Sequence, residues 1–176
     1  MKESNISLNE PFDIIIKDNF LDDKLFNDLH KKISHFNFYP ELTVLGPDKE
    51  KKHSWFAASV SKEIKEIIKN KCEKILRKKF KVTVCTYTLL AIAKPLAHRD
   101  LSKDCQYQII IYIKGNTNLN KGTGFYFNNE LNTHIGFNEN RAILWRSNAY
   151  HTPLNWSSDD KSKRYSIICQ LKEIKD

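Results

Sequence analysis

The sequence predicts an α+β domain, mainly β, arranged as a sandwich or jelly-roll barrel with N-terminal helices packed on one sheet. Three observations carry this. After Phe80, six runs rich in β-branched and aromatic residues follow one another, at 81–90, 106–114, 125–127, 132–137, 142–145 and 164–171. Residues that tolerate positive φ separate them: Gly115-Asn116, Lys121-Gly122, Asn128-Asn129 and Asn138-Glu139-Asn140. Before Phe80 the apolar spacing is helical in two places. Many short strands closed by such turns make a sandwich or barrel.

Taken in order, residues 12–16 form a short β-prone run. Asp22 then caps a helix whose Leu25, Phe26, Leu29 and Ile33 share one face. Residues 37–55 hold Pro40, Gly46, Pro47 and the charged patch 48–52, a pattern that reads as a loop. Ser59 or Ser61 caps a longer helix, in which Ile64, Ile67, Ile68, Cys72, Ile75 and Leu76 form one stripe that should lie against a sheet. The strands come after it.

A chain of 176 residues is the size of one domain, here 1–176, with 1–80 as a helical support region and 81–176 as the jelly-roll core. At 40% hydrophobic and 11% aromatic residues it can bury a core, which excludes a disordered chain. No apolar run approaches the ~20 residues that span a bilayer, and the N-terminus lacks a secretory pattern, so a cytoplasmic location is expected. Cys72, Cys85, Cys105 and Cys169 have no metal-knuckle spacing and read as reduced core thiols. The net charge of +8 favours anionic partners, but much of it lies in 62–81, where a solvated helix face explains it.

The sharpest local feature is His98-Arg99-Asp100. On extended backbone, residues i and i+2 point to the same side, so His98 and Asp100 can meet at one metal. Such a tripeptide is weak evidence alone, and its order relative to residues further down the chain gives it weight. His151, about 50 residues on, completes a two-His-one-carboxylate facial triad of the kind that leaves open positions on Fe(II). Arg164 opens the last strand, in phase with Ser166 and Ile168 and opposite Tyr165, Ile167 and Cys169. A guanidinium on an inward face needs a partner, and a dicarboxylate cosubstrate is one.

From about Tyr87 to Leu171 the chain resembles the Fe(II)/2-oxoglutarate-dependent oxygenases, whose pattern is H-x-D, then His, then Arg. Residues 109–114, ending Tyr112-Ile113-Lys114, resemble the Tyr-Leu-Asn strand of the prolyl-hydroxylase-like branch, and Gly122-Thr123-Gly124-Phe125 its Gly-Gly-x-Leu turn and strand. Residues 140–145 resemble its Gly-Arg-x-x-x-Phe strand, with Asn140 in place of the glycine. Residues 90–95 with His98-Arg99-Asp100, and His151-Thr152-Pro153-Leu154-Asn155, resemble the aspartyl/asparaginyl-hydroxylase branch as well.

The resemblance implies a double-stranded β-helix and a 2-oxoglutarate-dependent dioxygenase, with His98, Asp100 and His151 as catalytic metal ligands. It implies Fe(II), 2-oxoglutarate and O2 as cofactors and cosubstrates, with Arg164, Ser166 and Tyr112 holding the 2-oxoglutarate. The implied reaction is hydroxylation of an unactivated C–H, with a peptidyl Pro, Asn or Asp side chain favoured over a free amino acid or an alkylated nucleobase. Nucleic acid is the less favoured partner, because no aromatic-interleaved basic stripe is present. The competing classes are a non-catalytic cupin-like metal-binding module and a nucleic-acid-binding protein using the basic helix at 62–81. His134 sits on a barrel strand and is a candidate cavity residue, whereas Trp55, Arg146, Asn148 and Trp156 are expected to rim the mouth and pack.

Overall fold

The computed structural model describes residues 5–8, 13–45, 51–90, 97–100, 104–154 and 163–174. Residues 91–96, part of the segment resembling the aspartyl/asparaginyl-hydroxylase branch, and Trp156, expected at the mouth, lie outside them.

Eleven strands and two helices occur in this order: β1 (Asn5–Leu8), β2 (Ile14–Lys17), α1 (Asp23–Lys32), β3 (Tyr39–Leu45), β4 (Lys51–Ser59) and α2 (Lys62–Leu76). Then come β5 (Lys79–Leu90), β6 (Tyr107–Lys114), β7 (Gly122–Phe127), β8 (Glu130–Gly136), β9 (Ala142–Arg146), β10 (Tyr150–Leu154) and β11 (Arg164–Ile174). Eight strands form one sheet in the order β1-β2-β9-β6-β11-β5-β4-β3, and β10-β7-β8 form a smaller one. All pairings are antiparallel.

The helices start where their caps place them. The Asp22 side chain accepts from Leu25 N, and of the two serines it is Ser61 that accepts from Ile64 N. The helices lie against one face of the large sheet, burying Leu29, Ile68 and Cys72 with Tyr87, Ile109, Ile111, Ile167 and Cys169. The other face, with Phe125 and Ile135 of the small sheet, encloses a second core of Ile110, Tyr112, Ile143 and Trp145. One strand therefore serves both cores by alternation, as period-two side chains must.

Three expectations are corrected. Residues 37–55 are not a loop: they supply β3 and most of β4, so the region before residue 80 adds four strands as well as two helices. The Gly46-Pro47 signal falls between two strands that pair through two register shifts, and such irregular strands lack clean alternation. β10, which carries His151, is a strand that the sequence hides, because Tyr150-His151-Thr152-Pro153-Leu154 contains a proline that demotes a strand reading. Cys85 and Cys169 are register partners on β5 and β11, with Cα atoms 4.1 Å apart, and form a cross-strand disulfide. Their contact is set by strand register across 84 residues, which linear spacing does not reveal. Cys72 and Cys105 are buried free thiols, as expected.

Asn140 explains its own departure from glycine. It has φ of 59°, the conformation for which glycine is favoured and asparagine tolerated. Its buried amide accepts from Leu21 N at 2.8 Å and donates to Leu21 O at 2.9 Å, tying the β9 entry to the start of α1. Next to it, Arg141 grips both carboxylate oxygens of Asp18 at 2.6 and 2.9 Å and donates to Gly136 O.

Candidate active site

His98 and His151 meet through the backbone. An isolated antiparallel bridge joins them, each N–H donating to the other's carbonyl at 3.0 and 2.9 Å, so both imidazoles leave one ladder rung. Asp100 returns to the same side, as the extended i, i+2 spacing required. Its Oδ1 lies 3.9 Å from His98 Nε2 and its Oδ2 3.3 Å from His151 Nε2. Among the described residues, one ligand atom from each of the three lies within 4.8 Å of the others.

The donor set fits a metal ion. The Ala149 carbonyl, 3.1 Å from His151 Nδ1, can only accept, so Nδ1 carries the hydrogen and Nε2 faces the Asp100 carboxylate. A neutral ring there would set a lone pair against an anion, and a cation between them resolves the conflict. Two ligands ~2.1 Å from a metal stand about 3 Å apart when cis, so His151 and Asp100 are nearly placed and His98 needs to close by about 1 Å. With a side-chain exposure of 41%, His98 has room to move.

Asp100 is ready to ligate. Burial pushes its pKa up, but its contacts with the His151 ring and the Gln108 amide and the nearby His98 imidazole outweigh this and hold it at about 2. Gln108 Nε2 donates to Asp100 Oδ2 at 2.6 Å. His151 is wedged by Trp145, whose ring stands edge-on to it at 5.0 Å, and by Phe125, its β7 register partner.

The triad and Arg164 line one cavity of about 240 Å³. Arg164 is 1% exposed, and its guanidinium carbon lies 5.3 Å from the Trp55 ring and 5.8 Å from that of Tyr112. Burial pulls its pKa down from 12.5 to about 10, which leaves it charged at neutral pH. Its phase on β11 is the one read from the sequence: Arg164 and Ile168 line the cavity, while Tyr165, Ile167 and Cys169 join the helix-side core. Lys114, the nearest basic residue on β6, points away from the cavity, with Nζ 3.5 Å from Ser34 Oγ just past α1.

Ser166 and Tyr112 are fully buried one layer behind the cavity wall. Ser166 Oγ is 2.9 Å from Thr88 Oγ1, and the Tyr112 hydroxyl is 2.6 Å from Thr123 Oγ1. Thr88 and Thr123 are the wall residues there. His134 is exposed on β8 and does not reach the cavity. Trp55, expected in a loop and in packing, is a β4 cavity residue beside Arg164. Sequence reasoning missed Gln108, Thr88 and Thr123. A glutamine in phase with Ile110 and Tyr112 inside an otherwise apolar strand was the legible signal for the first, while the threonines look like ordinary strand residues.

No family model matches the chain, and no curated protein matches it in sequence. Solved structures do resemble it. A 2OG-Fe(II) oxygenase family oxidoreductase from Burkholderia pseudomallei superposes with a TM-score of 0.69 at 8% identity, covering 90% of this chain and 84% of that one. A prolyl hydroxylase from Trichoplax adhaerens, solved with a hypoxia inducible factor peptide fragment, gives 0.64 at 12% identity, covering 91% and 83%. The epimerase SnoN, in complex with Fe3+, alpha ketoglutarate and nogalamycin RO, gives 0.62 at 8% identity, covering 90% and 78%. The fold is thus the double-stranded β-helix seen in the 2-oxoglutarate/Fe(II) oxygenases, and on it this chain carries a His-Asp-His cluster that could hold a metal ion.

Proposed function

We propose that the protein is an Fe(II)- and 2-oxoglutarate-dependent dioxygenase that hydroxylates an unactivated C–H of a peptidyl Pro, Asn or Asp side chain, working as a single domain over 1–176. The observation that carries the reading is one cavity lined by both a facial His-Asp-His set and a fully buried guanidinium. Iron held by His98, Asp100 and His151 would supply the oxidising power, with 2-oxoglutarate and O2 as co-reactants. The chain's own residues orient and shield. Asp100 and the two imidazoles would hold the metal at the wall of the cavity that they line. Arg164 receives the distal carboxylate of 2-oxoglutarate in a bidentate pair, in a site dry enough for that pair to be strong. Ser166 and Tyr112 act through Thr88 and Thr123, whose hydroxyls they hold at the cavity wall. Trp145 and Phe125 keep the His151 ring from turning.

The peptidyl reading is supported by the segments around the triad and by the peptide-bound prolyl hydroxylase among the structural neighbours. Anaerobic addition of Fe(II) and 2-oxoglutarate should produce a weak visible charge-transfer band. In air, succinate formation should be stimulated by proline-, asparagine- or aspartate-containing peptides. Absence of the band rejects the oxygenase reading. Stimulation by a free amino acid or methylated oligonucleotides alone, with the peptides silent, rejects the peptidyl substrate and keeps the chemistry.

A further inference from the structure

Arg164 and Trp55 meet across an intervening strand. Leu90 of β5 is the register partner of Arg164 on β11 and of Trp55 on β4, so the three stand on one rung and project from the same face of the sheet. Two strand spacings put the Arg164 and Trp55 backbones about 10 Å apart, a gap that two long side chains can close over Leu90. They do close it: the guanidinium carbon lies over the indole, 5.3 Å from the ring centroid, and over the Tyr112 ring at 5.8 Å. The two rings differ in freedom. Tyr112 is fully buried, with its hydroxyl 2.6 Å from Thr123 Oγ1 and its ring centroid 4.7 Å from that of Phe137. Trp55 is half-buried and lines the cavity together with Arg164, so its contact with the guanidinium borders the space a ligand enters.

We propose that Trp55 is a positioning residue for the cosubstrate: its indole holds the Arg164 guanidinium by the face, keeps the N–H edge for the distal carboxylate of 2-oxoglutarate, and so sets the preference for a 2-oxo dicarboxylic acid over a monocarboxylic one. The inference rests on the oxygenase reading and adds a residue that governs how the cosubstrate is chosen. A ring face attracts a guanidinium through its quadrupole and takes none of the in-plane N–H donors, which stay available to an oxygen acceptor. An acidic side chain in the place of the indole would attract the cation too, but would compete for those donors. Held by its face, the guanidinium meets an incoming carboxylate in its own plane, which is the arrangement of a bidentate pair. An uncharged chain end gains nothing from that orientation, so the effect of Trp55 is specific to the second carboxylate.

The test titrates 2-oxoglutarate and 2-oxopentanoate, the same chain without the distal carboxylate, into the Zn(II)-loaded protein by calorimetry. The parent should favour 2-oxoglutarate by at least about 30-fold. Trp55→Leu, which keeps an apolar side chain without an aromatic face, should cut that preference about 5- to 30-fold while its affinity for 2-oxopentanoate stays within about twofold. Trp55→Phe, which restores a ring face, should recover most of the preference. An unchanged preference in Trp55→Leu, an equal loss for both acids, or the same loss in Trp55→Phe as in Trp55→Leu overturns the proposal and leaves Trp55 as wall packing. Should Trp55→Leu fail to fold, the parent still decides. Its Trp55 indole 15N signal, assigned by its absence in Trp55→Phe, should shift further with saturating 2-oxoglutarate than with saturating 2-oxopentanoate, and equal shifts overturn the proposal. A parent that binds Zn(II) and takes neither acid rejects the oxygenase reading and this inference with it, whereas a preference for 2-oxoglutarate that is the same in all three proteins rejects the inference alone.

Discussion

Replacing Arg164 with methionine should cost the protein its affinity for 2-oxoglutarate. The guanidinium is fully enclosed, and its pKa falls from 12.5 to about 10 through burial, equivalent to about 3 kcal/mol of penalty against the charged form. The melting temperature of the cosubstrate-free Arg164→Met protein serves as the control for folding, each kcal/mol moving it by about 2–4 °C in a chain of this size. Cosubstrate binding should suffer. Losing a bidentate, desolvated carboxylate pair costs about 2–5 kcal/mol, or a Kd raised about 30- to 5,000-fold. Differential scanning calorimetry of the apo protein and calorimetric titration of 2-oxoglutarate into the Zn(II)-loaded protein read the two effects separately. Unchanged 2-oxoglutarate affinity in a folded Arg164→Met protein would mean that Arg164 is a structural tie and would refute the assignment.

His98→Ala, Asp100→Ala and His151→Ala should each abolish the anaerobic Fe(II)–2-oxoglutarate band and succinate production with little change in far-UV circular dichroism; a His151→Ala protein with parental turnover would remove His151 from the metal. Asn140→Ala should cost about 2–4 kcal/mol in urea unfolding, since it loses the two Leu21 hydrogen bonds and places alanine, which lacks asparagine's tolerance of the left-handed region, at positive φ. Asn140→Gly should cost less, and the reverse order would discard the backbone part of that argument. The Arg141 guanidinium holds the Asp18 carboxyl below its usual value, so the stability it adds is present above about pH 4 and is lost as pH falls through the folded-state pKa. Asp18→Asn should lower stability at pH 7 and flatten the acid limb below pH 4, and an unchanged limb would show that the pair contributes nothing to acid unfolding.

Order along the chain made the candidate metal cluster legible: extended backbone puts His98 and Asp100 of the H-x-D on one side, and the resemblance to an H-x-D then His pattern picked out His151. Arg164 was legible through phase: one strand, alternating, with an arginine in step with Ser166 and Ile168. The β3–β4 pair was not, because its register shifts break the alternation that identifies a strand. Nor was the Cys85–Cys169 contact, which arises from pairing between strands far apart in sequence. Trp55 was hidden for the same reason: its place beside Arg164 comes from β4 and β11 both flanking β5, where Leu90 pairs with each of them.

A single irregularity on β5 decides which of its side chains each core receives. Phe80 and Val82 pack on the helix side, and regular alternation would carry Val84 and Thr86 to that side too, taking Cys85 and Tyr87 into the cavity. Instead the register shifts at Gln170/Leu171, where β11 pairs Val84 and then Val82, leaving Thr83 as the extra residue with its hydroxyl donating to Gln170 O at 3.2 Å. The phase inverts there: Cys85, Tyr87 and Leu89 join the helix-side core, and Val84, Thr86 and Thr88 line the cavity. Deleting Thr83 would restore unbroken alternation and turn one half of the strand over. Either the cavity wall or the packing against α2 must then be lost, so the bulge is where the requirements of stability and of the site are reconciled.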